Sequence, residues 1–173
     1  HIEAEEVRKI YTLNMVHATA AYLGDPGRFT FIREAALDPV LAPQLHQALD
    51  EAAVGLSGEY GFSTEDMAAW TERMMGLIKN PHMTDDLIRL GADSLRKLGP
   101  DDRLVGAARL SIKHGGHPAT IARAIAMGYL YENGDEGTQR VRAVYREKGL
   151  PGALAVICGL SPDEPLYDMV LKA

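Results

Sequence analysis

From Ile2 to Leu23 the chain reads I-E-A-E-E-V-R-K-I-Y-T-L-N-M-V-H-A-T-A-A-Y-L, with no glycine and no proline. Gly24-Asp25-Pro26-Gly27 then stops it abruptly, the punctuation that ends a helix. The opening turns are acidic. Beyond them Ile10, Tyr11, Leu13, Met15, Val16, Ala18, Ala20, Ala21, Tyr22 and Leu23 leave no broad polar face. A helix that is apolar nearly all round sits at the centre of its domain. The rest of the chain is therefore expected to wrap around this segment.

Working outward, the same punctuation recurs. A short helix is expected from Thr30 to Leu37. Asp38-Pro39 reads as N-cap and first residue of a longer helix to about Glu59, with a later start suggested by Pro43 and a stop at Gly61. Ser63-Thr64-Glu65-Asp66 is a helix entry with acid in the first turn, running to about Lys79 and ending at Asn80-Pro81. Thr84-Asp85-Asp86 opens a helix to about Leu98, and Asp101-Asp102 opens one to about His114. Pro118 marks another, carrying Ile121, Ala124, Ile125 and Gly128 at i, i+3, i+4, i+7 and ending at Gly134. Short helices from about Gly137 to Lys148, Pro151 to Cys158 and Pro162 to Leu171 complete the chain. Val156-Ile157-Cys158 is the best candidate strand and is too short. The expectation is one all-α domain over residues 1–173, with short connections and mostly antiparallel neighbours.

Bulk properties narrow the function. Apolar residues make up 46% and charged residues 24%, the balance of a globular chain able to bury its own core. The single cysteine, Cys158, excludes an internal disulfide and fits a reducing, cytoplasmic setting. It lies in the apolar run Ala153 to Leu160, where an inert buried thiol is expected. A net charge of −6 with only paired basic residues argues against a nucleic-acid partner. No apolar run is long enough to cross a membrane. The acidic start without Met suggests a chain cut from a larger protein. There is no G-x-G-x-x-G and no P-loop motif, so this chain alone shows no nucleotide cradle. H-E-x-x-H and C-x-x-C are absent too. His114 and His117 form H-x-x-H across Gly115-Gly116, which breaks helical geometry, and no metal site is assigned.

Three polar residues interrupt the apolar first helix: Lys9, Asn14 and His17. At about 100° per residue, His17 lies about 80° around the axis from Lys9, and Asn14 about 140°. Asn14 and His17 are i, i+3 neighbours. Two readings stay open on spacing alone. The residues can be structural, with Asn tying helices together, His satisfied in the core and Lys reaching out to solvent. They can instead border one side of a polar cavity. The chemistry that suits the second reading is oxidation of a secondary alcohol. A desolvated lysine takes the hydroxyl proton, an Asn amide donates to the developing alkoxide and a His orients the substrate. The hydride acceptor would be a cofactor that this segment does not hold.

K-I-Y-T-L-N-M-V-H-A-T-A-A-Y-L-G from Lys9 to Gly24, with its Lys, Asn and His at this spacing, resembles the polyol-specific long-chain dehydrogenase (mannitol dehydrogenase) family. It is most similar to the mannitol-1-phosphate 5-dehydrogenase branch. The stretch N-P-H-M-T-D-D-L-I-R-L-G-A-D-S-L-R-K-L-G-P-D-D-R-L from Asn80 to Leu104 resembles the same branch. The resemblance implies an all-helical domain related to the C-terminal part of 6-phosphogluconate dehydrogenase. It also implies a preceding Rossmann domain, absent from this chain, that carries most of the contacts to NAD or NADP. The active site would lie in the cleft between the two and need no metal. By position, Lys9 becomes the general acid/base, Asn14 polarises the carbonyl or alkoxide, and His17 orients substrate. Arg89 and Lys97 become substrate-side cations, with Arg96 an alternative to Lys97. The substrate would be a polyol or ketose, phosphorylated or acidic. The alternative to this enzyme half is a non-catalytic helical module binding a protein or small anion. In that module each of the three polar residues would be satisfied locally.

Overall fold

The computed structural model describes residues 2–24 and 27–173. His1 lies outside the described residues, and so do Asp25 and Pro26, the middle of the stop signal after Leu23. Among the described residues there is no strand, only a lone bridge between Phe31 and Asp86. The all-α expectation therefore holds.

The opening segment is one continuous helical rod in three parts: α1 (Ile2–Lys9), a π turn (Ile10–Asn14) and α2 (Met15–Leu23). Next come α3 (Ile32–Leu37), α4 (Ala42–Tyr60) and α5 (Thr64–Lys79). The late start of α4 follows from Asp38, whose carboxylate accepts the Val40 and Leu41 N–H groups before the helix proper begins. Ser63 caps α5 through the Asp66 N–H, as its sequence suggests.

The single helix expected from Thr84 to Leu98 is two: α6 (Leu87–Gly91) and α7 (Ser94–Lys97). Asp93 between them adopts a left-handed conformation (φ 55°) that no regular helix allows. Then follow α8 (Val105–Lys113), α9 (Ala119–Gly128), α10 (Glu136–Ala153), a second π turn (Leu154–Cys158) and α11 (Pro165–Leu171). Helix α9 stops at Gly128, short of the expected Gly134. Two expected helices merge into α10 across a kink at Gly149, where φ is 66°.

Helix α2 is central. Met15, Val16, Ala18, Ala20 and Ala21 are wholly buried, and α2 packs on α4, α6 and α9. Burying each large side chain is worth about 1.5–3 kcal/mol, whereas its alanines mainly let neighbours approach. The longest helix, α4, packs on α8 and α5. At Gly55 a Cβ would fall 2.6 Å from the backbone of Leu110 and Ser111, so only glycine permits that crossing. Glu51 on α4 is buried, yet its carboxylate is satisfied by the Thr120 and Ile121 N–H groups at the start of α9 (2.9 and 3.0 Å). Arg109 on α8 binds Glu164 through two N–H groups and reaches the carbonyls of Pro100 and Gly159, fastening the C-terminal segment.

Candidate active site

The π turn changes the geometry expected of Lys9, Asn14 and His17. Within it the Met15 N–H bonds back to the carbonyl of Ile10, five residues earlier. Such a turn takes up one extra residue, so everything after it is set back by about 100° relative to a regular α-helix. Asn14 then lies about 40° from Lys9 rather than 140°, and His17 about 20° to the other side rather than 80°. All three share one face within about 60°. Burial agrees: Lys9 and Ile10 are exposed and Leu13, Asn14 and His17 are half-buried, while Thr12, Met15 and Val16 are buried.

Two features hold the turn. Thr12 is fully buried, and its hydroxyl donates to the Arg8 carbonyl (2.6 Å) while accepting the Trp70 indole N–H (2.9 Å). On another side the Tyr11 hydroxyl reaches the Asp101 carbonyl at 3.3 Å. Gly106 makes room there, since a Cβ would fall 2.3 Å from that hydroxyl. The Arg8 guanidinium lies over the rings of Trp70 (3.9 Å) and Phe62 (4.4 Å), adding cation–π contacts to the same corner.

None of the three polar side chains pairs with another described side chain. Among the described residues Lys9 makes no ion pair and Asn14 no side-chain hydrogen bond. The His17 Nε2 atom is buried without a partner. Burial pushes the His17 ring down to about 4, so it is neutral at neutral pH. The Asp85 carboxylate opposes that shift, and the Arg103 and Lys97 cations add to it.

Arg89 and Lys97, paired by the sequence, part company in the structure. The Arg89 side chain is 71% exposed and bound to Asp85 at 2.6 Å. Lys97 is buried at the end of α7, and its ammonium donates to the carbonyls of Leu90 (2.7 Å) and Ala92 (2.5 Å). It thereby closes the break between α6 and α7. Burial pushes it down to about 8, with the Arg103 and Arg96 cations adding to the effect, so it still carries charge at neutral pH. Arg96 points away to Asp93.

Arg103 is the residue that sequence reasoning missed. Its charge acts on both His17 and Lys97 and lowers both. Its side chain is only 12% exposed, and Asp102 holds its Nε at 2.7 Å. The sequence offered a signal, a cation directly after Asp101-Asp102, but those acids read only as a helix start. Elsewhere, the His114 ring pairs with Glu59 at 2.7 Å. No group of three metal-ligating side chains forms among the described residues. Cys158 is buried and burial pushes its thiol up to about 12, the inert thiol expected.

The class this defines is an all-helical domain whose central helix carries a Lys–Asn–His edge, with Lys97 buried nearby. Comparison with known proteins makes it particular. Residues 1–147 match the family described as the mannitol dehydrogenase C-terminal domain, and the chain belongs to that family. Similar relatives are the mannitol-1-phosphate 5-dehydrogenases of Bacillus subtilis (strain 168), 35% identical, and Shouchella clausii (strain KSM-K16), 36% identical, each over 166 residues. These alignments cover 95% of this chain but 43% and 44% of the relatives, so the chain spans less than half the length of the curated relatives it matches. No helix among the described residues is long and apolar enough to cross a membrane.

Proposed function

We propose that this chain is the substrate-side half of an NAD- or NADP-dependent polyol dehydrogenase. It interconverts a secondary alcohol and a ketose, with mannitol 1-phosphate and fructose 6-phosphate the leading pair. The observation that carries the reading is the unpaired Lys9–Asn14–His17 face brought together by the π turn. A non-catalytic module would have satisfied those groups locally.

Lys9 takes the carbinol proton during oxidation and returns it during ketose reduction. Asn14 donates its amide N–H to the oxygen as it becomes an alkoxide, the charge that needs a preorganised donor. His17, neutral at working pH, orients the substrate hydroxyls. Arg89 and Lys97 supply the substrate-side positive charge, joined by Arg103, for a phosphorylated or acidic polyol. NAD or NADP, when bound, supplies the hydride acceptor. We assign it to a Rossmann-type domain that precedes this one and docks on the Lys9 face, which suits relatives more than twice as long as this chain. The setting would be the cytoplasm.

The test is turnover of mannitol 1-phosphate with NAD by the full-length protein, followed through reduced cofactor. Lys9→Ala is expected to lower kcat by about 10²–10⁴-fold, and the isolated domain to show no turnover. Near-normal turnover by Lys9→Ala would remove Lys9 from its role.

A further inference from the structure

We infer that Thr12 and Trp70 are positioning residues for the reaction: the hydrogen bond between them holds the π turn that puts Lys9 on the face of Asn14 and His17. The inference rests on the function proposed above and adds to it two residues that touch no substrate.

The geometry is specific. The Trp70 indole has a single N–H, and it goes to Thr12 Oγ1 at 2.9 Å. That fixes the hydroxyl as acceptor on one side and leaves its own proton for the Arg8 carbonyl at 2.6 Å. Thr12 lies inside the π turn, Arg8 just before it, and Trp70 on α5, 58 positions along the chain. If the rod relaxed to a regular α-helix, the residues beyond the turn would swing about 100° relative to those before it. The Thr12 hydroxyl would leave the indole, and Asn14 and His17 would turn away from Lys9. The far end of the turn is fixed separately, because Met15 is fully buried in the core and α2 behind it packs on α4, α6 and α9. The relaxation would therefore fall on the Lys9 side. The Arg8 guanidinium stacked on Trp70 and Phe62 carries the same restraint to the residue next to Lys9.

Thr12→Val keeps the shape of the side chain and removes the hydroxyl. Thr12→Ser keeps the hydroxyl, and Trp70→Phe removes the donor. In the full-length protein, assayed with mannitol 1-phosphate and NAD, Thr12→Val is expected to lower kcat about 10- to 100-fold, as misplacement of a reacting group does. KM should stay within about threefold, and Thr12→Ser should restore most of the rate. Trp70→Phe should lower kcat in the same way, and it carries the test if Thr12→Val does not fold. The decisive readout is the pair Lys9→Ala and Lys9→Ala/Thr12→Val. Alignment of Lys9 has nothing left to act on once the lysine is gone, so the second substitution should cost little further rate. A Thr12→Val enzyme with wild-type kcat, or an equal loss with and without Lys9, would overturn the inference. If Lys9→Ala itself turns over normally, the assignment of the active site fails instead, and the two failures are told apart by that one variant.

Discussion

The described residues contain two π turns that do opposite things. The first, Ile10–Asn14, ends on Asn14 at a half-open polar edge. The second, Leu154–Cys158, ends on Cys158 in a sealed core. Each is stapled by a ring-borne donor from another element: Trp70 to Thr12 in the first, and the Tyr129 hydroxyl to the Ala153 carbonyl (3.2 Å) and beside the Cys158 sulfur (3.0 Å) in the second. The backbone device is shared, so the turn itself does not make a site. The difference is what stands on its outer face. In the first turn that face carries a lysine, an amide and an imidazole without partners. In the second it carries Ala155 and the exposed Val156, which ask for no chemistry.

The last residue of each turn separates the two most sharply. Asn14→Ala in the full-length protein is expected to lower kcat for polyol oxidation about 10²–10³-fold, the loss of one oxyanion donor. Cys158→Ala, its counterpart, should leave kcat unchanged. Equal losses at both would mean that the turns matter only as structure.

A pH dependence of stability should separate the turns next. The His17 ring is held near 4 in the folded chain, against 6.5 unfolded. Below pH 6.5 the unfolded chain binds the proton first, so stability falls between pH 6.5 and 4 by up to about 3 kcal/mol and flattens for this group beneath that. Urea unfolding of this chain from pH 7 to 4 reads the slope, and His17→Gln should remove its part above about pH 5, before the lowered carboxylates of Glu34, Glu59, Asp135 and Glu164 contribute. A smaller effect is expected at Tyr129→Phe, which strips the second turn of its staple. Unfolding free energy should drop by about 1 kcal/mol with kcat intact. The smallest is at Arg89→Ala. Its exposed pair with Asp85 is worth less than about 0.5 kcal/mol, so stability should hold. KM for mannitol 1-phosphate should rise if Arg89 serves the substrate, and an unchanged KM would leave it as a surface ion pair.

Helix starts and stops were legible where the chain carries its own punctuation. Ser63 capping α5 is local, and a reading of neighbours finds it. The break at Asp93 was not legible. Its left-handed conformation is held by Asp135, which accepts the Asp93 N–H from 42 positions away and also takes the Thr138 N–H and hydroxyl. The π turn was hidden for the same reason, because its staple comes from Trp70 on α5. The three residues of the proposed site were nevertheless legible as a group, since each interrupts the apolar part of the first helix. Their mutual angle was not, because a regular period of about 100° per residue put Asn14 on the wrong side. Arg89 and Lys97 looked alike in sequence and differ in burial, a property set by the break between α6 and α7.

The most direct measurement is a structure of the full-length protein with NADH and a polyol bound. The expected result places the Lys9 ammonium and the Asn14 amide nitrogen both within about 3.2 Å of the same carbinol oxygen, with His17 on an adjoining hydroxyl. The contrary result would have Asn14 turned across the helix from Lys9, or the carbinol seated away from this face.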